Sequence, residues 1–135
     1  MFWLSHHPPD ELDRCYRVGS VHLCARCLGT YPVMFAAIAA QLALQFPLEH
    51  PLDLPVCVAL VLPSTIDWAI GRFQPHRFSN AWRTATGVLL GLGLGRSLFI
   101  HLQRPLPPAL LAQAIVVTGI ALPVILTAYR RKRRG

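Results

Sequence analysis

Four apolar segments alternate with short polar stretches along this chain, and each segment is about as long as a lipid bilayer is thick. The segments cover residues 29–46, 52–70, 82–103 and 109–129. A helix needs about 20 apolar residues to cross ~30 Å of hydrocarbon, so the first segment is near the lower limit. The pattern predicts an all-α fold, a bundle of four membrane-spanning helices.

The chain begins with a polar stretch of different composition. Residues 1–28 are rich in cysteine and histidine, and we expect them to form a segment outside the membrane. Residues 29–135 then form the membrane bundle, which ends in a basic tail at 130–134. A length of 135 residues leaves room for one domain.

Helix starts are marked by proline and capping residues. Pro32 fits the first turn of the first span, where a missing N–H costs little. Ser79 or Asn80 is a suitable N-cap for the third helix, because each has a short polar side chain that accepts a hydrogen bond from a backbone N–H. These residues predict helix starts close to the beginnings of the first and third apolar segments.

The composition supports a membrane protein and argues against a nucleic-acid-binding one. Hydrophobic residues make up 53% of the chain and charged residues 14%, whereas soluble proteins contain about 25% charged residues. The net charge of +7 comes from loops and the tail, not from one face of a soluble helix. We therefore expect no nucleic-acid partner.

The basic residues predict the orientation in the bilayer. One side of the four spans carries Arg14, Arg17 and Arg26, then Arg72, Arg77 and Arg83, then the basic tail. The opposite side carries Arg104 with the acidic residues Glu49 and Asp53. Because positively charged loops stay in the cytoplasm, we expect a protein of the cytoplasmic membrane with both termini in the cytoplasm.

The third span carries two features that concern packing within the membrane. Gly87, Gly91 and Gly95 form a stripe on one helix face, where another backbone can approach closely. We expect a neighbouring helix to cover this stripe, which is also a candidate surface for oligomerisation. Arg96 lies inside the same span, where a charge needs a partner. The candidate partners at comparable depth are Gln41, Gln45, Asp53 and Gln113.

The polar N-terminal segment contains a candidate metal site. Cys24 and Cys27 have the spacing that lets two thiolates hold one tetrahedral metal ion. Cys15 lies upstream, and Gly19 and Ser20 can turn the chain back toward it. The candidates for a fourth ligand are His6, His7 and His22. We predict a zinc ion with a structural role, because the segment is too small to fold alone.

A thiol redox centre is an alternative for the same two cysteines. Arg26 between Cys24 and Cys27, and a helix start just after them, both favour the thiolate. The expected orientation places the pair in the reducing cytoplasm, which argues against a redox role. Cys57, inside the second span, is most simply a small core residue.

A second polar cluster lies between the second and third spans. Its members are Asp67, Arg72, Gln74, Ser79, Asn80 and Arg83. An acid near arginines and amides at the membrane boundary is typical of a site for a phosphate or a lipid headgroup. The alternative function is therefore a membrane enzyme or carrier acting on an anionic lipid or a phosphorylated small molecule. For each residue taken alone, a solvated loop with one helix cap is the simpler interpretation.

Two blocks of sequence resemble a known family. Residues 23–31 read Leu-Cys-Ala-Arg-Cys-Leu-Gly-Thr-Tyr, and residues 79–87 read Ser-Asn-x-x-Arg-x-x-Thr-Gly. Together with further single matches, they resemble the small prokaryotic membrane proteins of the family domain of unknown function 2085, over roughly residues 4–95. The further matches are Pro63, Asp67, Gln74 and Gly91.

The resemblance carries an expectation about the metal ligands. Members of the family commonly begin with a Cys-His pair, which stands here as Ser5-His6. The resemblance implies that His6 or His7 supplies the imidazole and that Cys15 takes the place of the missing thiol. It supports the fold, the topology and the location of the site, and it implies no reaction.

Overall fold

A 3-10 helix, a β-hairpin and four α-helices follow one another in the structure, a computed structural model that describes residues 9–48 and 50–134. Side chains are not described for residues 9–11 and 134. The elements are the 3-10 helix Pro9–Arg14, β1 Cys15–Val18, β2 Val21–Cys24, α1 Ala25–Ala43, α2 Asp53–Gly71, α3 Asn80–Gln103 and α4 Pro108–Arg134. The predicted metal ligands His6 and His7 lie outside the described residues.

The all-α prediction missed the β-hairpin. Strands β1 and β2 pair antiparallel, with Val18 opposite Val21 next to the turn and Cys15 opposite Cys24 at the far end. The turn depends on Gly19, whose φ of +62° lies in the left-handed region that favours glycine. The remaining described elements are helical, so the fold is mostly α with one small sheet.

The four predicted helices are present, with shifted ends. Helix α1 begins at Ala25, four residues before the predicted start, so Pro32 lies inside the helix and the prediction of a first-turn proline is wrong. Helix α3 begins as predicted: Ser79 is its N-cap, and its Oγ accepts a hydrogen bond from the Trp82 N–H at 3.2 Å. Side-chain capping of an otherwise unpaired N–H explains this boundary.

Three of the helices are long and apolar enough to cross a membrane, among the residues that the structure describes. They are Asp53–Gly71, Asn80–Gln103 and Pro108–Arg133. Helix α1 is not one of them, although it is 19 residues long. Arg26, Tyr31 and Gln41 lower its mean hydropathy.

Helix α3 is the centre of the bundle. It packs against α1 and α2, while α4 packs mainly against α2. Of the three candidate spans, α3 is therefore the most buried and α4 the least. Helices α1 and α3 point in the same direction, because Arg26 lies beside Gly87 and Met34 lies beside Gly95.

The glycine stripe of α3 allows this close approach. A Cβ atom at Gly91 would lie 2.6 Å from the Thr30 carbonyl oxygen, and one at Gly95 would lie 2.8 Å from the Ala37 Cβ. Gly87 lies equally close to the backbone of α1. The prediction that a neighbouring helix covers the stripe is confirmed.

The covering helix belongs to the same chain, and this bears on the predicted oligomerisation through Gly87, Gly91 and Gly95. Helix α1 contributes its own glycine, Gly29, which packs against the Thr84 carbonyl. A second copy would have to displace α1 to reach the stripe. In the described chain, the stripe is therefore an internal packing surface.

Arg96, near the end of α3, has polar partners among the predicted residues. Its Nε and Nη2 atoms donate to the two carboxylate oxygens of Asp53, both at 2.8 Å. Its Nη1 donates to Gln41 Oε1 at 3.0 Å, and its Nη2 also donates to the Pro47 carbonyl at 2.9 Å. Two parallel bonds to one carboxylate hold a charge firmly in an apolar region.

The other candidate partners of Arg96 serve different purposes. Gln113 of α4 accepts a hydrogen bond from Ser97 Oγ at 2.7 Å and donates to the Cys57 carbonyl at 3.0 Å, which joins α4 to α3 and α2. Gln45 lies beyond the end of α1, with a φ of +48°. Cys57 is fully buried, as expected for a core residue.

Candidate functional site at the hairpin end

The β-hairpin, the start of α1, the end of α2 and the start of α3 meet at one end of the bundle, which we call the hairpin end. This follows from the direction of the helices. Helix α2 runs opposite to α3, since Asp53 at its start bonds to Arg96 near the end of α3. Polar residues from four separate sequence segments are thereby brought together.

Thr84 attaches the hairpin to α3. Its Oγ lies 3.2 Å from the Tyr16 hydroxyl of β1 and 3.0 Å from the Ala25 carbonyl at the start of α1. The same Oγ lies 3.0 Å from the Asn80 carbonyl one turn back in α3. A hydroxyl both donates and accepts, so one side chain connects the strand to two helices.

Asn80 makes a second attachment. Its Nδ2 donates to the Asp13 carbonyl at 3.0 Å and to the Cys15 carbonyl at 3.3 Å. The sequence predicts Asn80 as a ligand-binding residue. In the structure its side-chain amide binds the backbone where the chain enters the hairpin.

Asp67 is the buried acid of this end. It is 3% exposed and lies one turn before the end of α2. Its Oδ2 is paired with the guanidinium of Arg26, in the first turn of α1. The pair joins two helices that both pack on α3.

Two further arginines lie beside this pair. Arg83 of α3 is 6% exposed, and its Nη2 donates to the Pro75 carbonyl at 2.7 Å. Arg14, at the end of the 3-10 helix, donates from Nη2 to the Gly71 carbonyl at 3.1 Å. The Arg14 contact places positive charge at the C-terminus of α2, where the helix dipole favours it.

Arg14, Arg26, Arg83 and Asp67 form what we call the arginine cluster. Arg83 interacts electrostatically with all three of the other members and with Asp13. Asp13 also lies 3.3 Å from His76 Nδ1, on the outer surface. The cluster alone holds three guanidinium groups and one carboxylate, so positive charge is in excess.

The centre of the cluster contains buried polar atoms that have no hydrogen-bond partner among the described residues. They include Asp67 Oδ1 and Arg26 Nε. A buried polar atom without a partner costs ~1–3 kcal/mol. The centre of the cluster therefore retains unused hydrogen-bonding capacity next to excess positive charge.

Three of the predicted ligand-binding residues lie away from the cluster. Arg72 follows the last residue of α2 and is exposed. Gln74 accepts a hydrogen bond from Arg77 at 2.9 Å in the exposed loop. Ser79 is occupied as the cap of α3. Asp67 and Arg83 are the two predicted residues that the structure brings together within the arginine cluster.

The sequence pattern alone does not reveal Arg14 and Arg26 as members of the same cluster. Both flank the hairpin, since Arg14 directly precedes Cys15 and Arg26 follows Cys24 by two positions. Recognition of the Gly19 turn and of the paired strands would have placed these two arginines side by side. The paired strands of the hairpin are the feature that brings Arg14 and Arg26 together.

Three thiols lie at the base of the hairpin. Cys15 and Cys24 face each other across the strands and are 8% and 5% exposed. Cys27, in the first turn of α1, is hydrogen-bonded to the Cys24 thiol.

The described residues do not form a recognisable metal centre. Within 9–48 and 50–134, no group of three or more His, Cys, Asp or Glu side chains is arranged to hold a metal ion. The predicted ligand set also includes His6 and His7, which lie outside these residues. The zinc site thus stays a prediction.

The fold and its polar end define a small helical membrane protein with three candidate spans. The chain belongs to the DUF2085 family, described as predicted membrane proteins, which matches residues 12–97. The match includes the hairpin, α1, α2 and most of α3, and it confirms the resemblance seen in the sequence. No match was found among curated proteins or solved structures.

Proposed function

We propose that this chain is a four-span protein of the cytoplasmic membrane whose arginine cluster binds the phosphate group of an anionic ligand. The observation that carries the proposal is the clustering of Arg14, Arg26 and the buried carboxylate Asp67 around Arg83. The proposal concerns binding and assigns no reaction to the chain.

The fourth span of the proposal is α1. At ~1.5 Å per residue, a helix of 19 residues is about 28 Å long, close to the thickness of the hydrocarbon layer. Its close packing along the glycine stripe of α3 supports the same depth in the bilayer. The basic residues around the hairpin and in the tail favour a cytoplasmic location for both termini.

Phosphate suits the cluster because of charge and geometry. Guanidinium groups present paired N–H donors that match the oxygens of a phosphate. Asp67 occupies one edge of Arg26 and fixes its orientation, so its role is positioning. A phosphate would lower the excess positive charge of Arg14, Arg26 and Arg83 and use donors such as the unpaired Arg26 Nε.

The ligand has two sources, a lipid headgroup or a soluble phosphorylated molecule. The full chain in detergent should be titrated separately with inorganic phosphate and with short-chain phosphatidylglycerol, with phosphatidylcholine as the zwitterionic comparison. Binding of phosphate supports a soluble ligand, and binding of phosphatidylglycerol alone supports a lipid. Equal binding of both lipids, without phosphate binding, would contradict the proposal.

Matched variants test which arginines bind. Arg26→Lys keeps the charge but removes the paired donors, and we expect affinity to fall about 10-fold, since a hydrogen bond to a charged group contributes ~1.5–3 kcal/mol. Arg77→Gln, in the exposed loop, removes a charge outside the cluster and should leave affinity nearly unchanged. An equal loss in both variants would indicate general electrostatic attraction and not a site.

A structural zinc ion is a second candidate at the same end. It is supported by the thiol contact between Cys24 and Cys27, with Cys15 opposite Cys24. His6 or His7 would supply the fourth ligand. Bound zinc would tie the hairpin to the start of α1. Elemental analysis of the purified chain tests this: Cys24→Ser should release zinc, Cys57→Ser should retain it, and a zinc-free wild-type chain would exclude the site.

Redox chemistry by Cys24 and Cys27 is the least supported alternative. Cys24 lies directly opposite Cys15 across the strands, which favours Cys15 over Cys27 as its partner. The proposed cytoplasmic location also opposes a stable disulfide there. We therefore place binding at the arginine cluster first.

A further inference from the structure

Cys15 and Cys24 occupy a special position in the hairpin. Val18 and Val21 flank the two-residue turn and form its hydrogen-bonded pair. Hydrogen-bonded and non-hydrogen-bonded pairs alternate along antiparallel strands, so Cys15 and Cys24, three pairs further on, form a non-hydrogen-bonded pair. In such pairs the Cα atoms are ~4.5 Å apart, and the side chains are closest.

This separation suits a covalent bond between the two sulfurs. Disulfides join cysteines whose Cα atoms are ~4.4–6.8 Å apart. Both side chains are on the same, buried face of the hairpin. Cys27 competes for Cys24 from the adjacent helical turn, but the strand register places Cys15 directly opposite Cys24.

We propose that Cys15 and Cys24 form a reversible disulfide under attack by a hydroperoxide, and that this bond strengthens anion binding at the arginine cluster. The second part rests on the proposed function. A small oxidant is required because both cysteine residues are almost inaccessible to solvent, at 8% and 5% exposure.

The reaction balances with hydrogen peroxide as the oxidant. One thiol attacks the peroxide O–O bond, becomes a sulfenic acid and releases one water. The other thiol attacks the sulfenic sulfur, the S–S bond forms and a second water leaves. Two thiols are oxidised, one peroxide is reduced and the protein loses two hydrogen atoms. Added dithiol reverses the bond by exchange.

The link to the arginine cluster follows from chain connectivity. Arg14 is bonded directly to Cys15, and Arg26 follows Cys24 by two residues. A bond across the base of the hairpin would restrict the separation of the two guanidinium groups. Preorganised groups bind more tightly, because less conformational freedom is lost on binding. The oxidised chain should therefore bind phosphate more tightly than the reduced chain.

Trypsin provides a direct readout of the bond. Cleavage after Arg14, Arg17 and Arg26 places Cys15, Cys24 and Cys27 on three different peptides, residues 15–17, 18–26 and 27–72. The full chain, freed of metal with a chelator, should be treated with hydrogen peroxide and mapped by mass spectrometry. We expect peptide 15–17 linked to peptide 18–26. A link between 18–26 and 27–72, or no link, would overturn the proposal.

Variants separate the roles of the cysteines. Cys15→Ser should abolish the linked peptide, whereas Cys27→Ser and the buried control Cys57→Ser should retain it. Phosphate titration of the reduced and oxidised wild-type chain tests the second part. Equal affinities would overturn the redox control and leave the anion site intact. Absence of binding in both forms would refute the proposed function and the redox control with it, while peptide mapping decides the disulfide independently.

Discussion

Arg26 and Asp67 are 41 positions apart in the sequence, yet their side chains form a buried pair at the hairpin end. The pair connects the first turn of α1 to the last turns of α2. These two helices otherwise meet mainly through α3, against which both pack. One ion pair thus closes the three-helix arrangement and positions the arginine cluster.

Asp67→Asn should destabilise the chain. The change leaves Arg26 and Arg83 without their buried anion, and breaking a buried pair costs roughly 3 kcal/mol where one partner keeps some contact with solvent. Thermal unfolding in detergent should show a lower midpoint. Asp13→Asn, at the exposed outer side of the cluster, is the control and should have little effect. Equal midpoints for both variants would show that the pair contributes nothing to stability.

Gly91→Ala should loosen the contact between α1 and α3. A Cβ at this position would lie 2.6 Å from the Thr30 carbonyl oxygen, so the helices must separate. Gly119→Ala in α4 is the matched control, since no atom lies within 4 Å of its added Cβ. We expect a lower unfolding midpoint for the first variant and an unchanged or slightly higher one for the second, because alanine favours helix by up to ~1 kcal/mol. A neutral Gly91→Ala would contradict the close packing.

Arg96 and Asp53 should be energetically coupled. Arg96→Leu leaves a carboxylate unpaired in a largely apolar region, and Asp53→Leu leaves an arginine unpaired. We expect each single variant to be less stable than the double variant, because the double variant leaves neither charge uncompensated. Unfolding of all four proteins forms a double-mutant cycle. Additive effects in the cycle would show that the two side chains act independently.

The proposed orientation can be tested with reporter fusions. A reporter that is active in the periplasm should be silent after Gly135 and active when placed near Glu49. The expectation follows from the basic residues of the hairpin end and the tail. The reverse pattern would place the thiols on the oxidising side. Reporter activity at both sites would mean that one of the three helices between them, α2, α3 or α4, does not cross the membrane.

Much of the membrane part could be predicted from local sequence. The lengths of the apolar segments predict the four helices, and Ser79 predicts the start of α3. The spacing of Gly87, Gly91 and Gly95 predicts a packing face. The partner of Arg96 followed from depth alone, since Asp53 is one of few polar residues at that level. Such features depend on one helix, or on position along the bilayer normal.

The polar end could not be predicted in the same way. The pairing of Arg26 with Asp67 and the contact of Arg14 with Gly71 join segments far apart in sequence. The spacing of cysteine and histidine between residues 15 and 24 suggests a metal-binding loop. The same residues form a short hairpin, whose side chains alternate between its two faces. Pro32 was misplaced because packing against α3 extends α1 beyond its apolar part.

The family match ends at residue 97, inside α3, before α4 begins. Every residue of the arginine cluster and every thiol at the base of the hairpin precedes α4 in the chain. All of them are therefore synthesised before α4 leaves the ribosome. Domains form from the N-terminus as the chain emerges, at ~5–20 residues per second. During translation, the hairpin end has all of its parts several seconds before the last helix docks against α2.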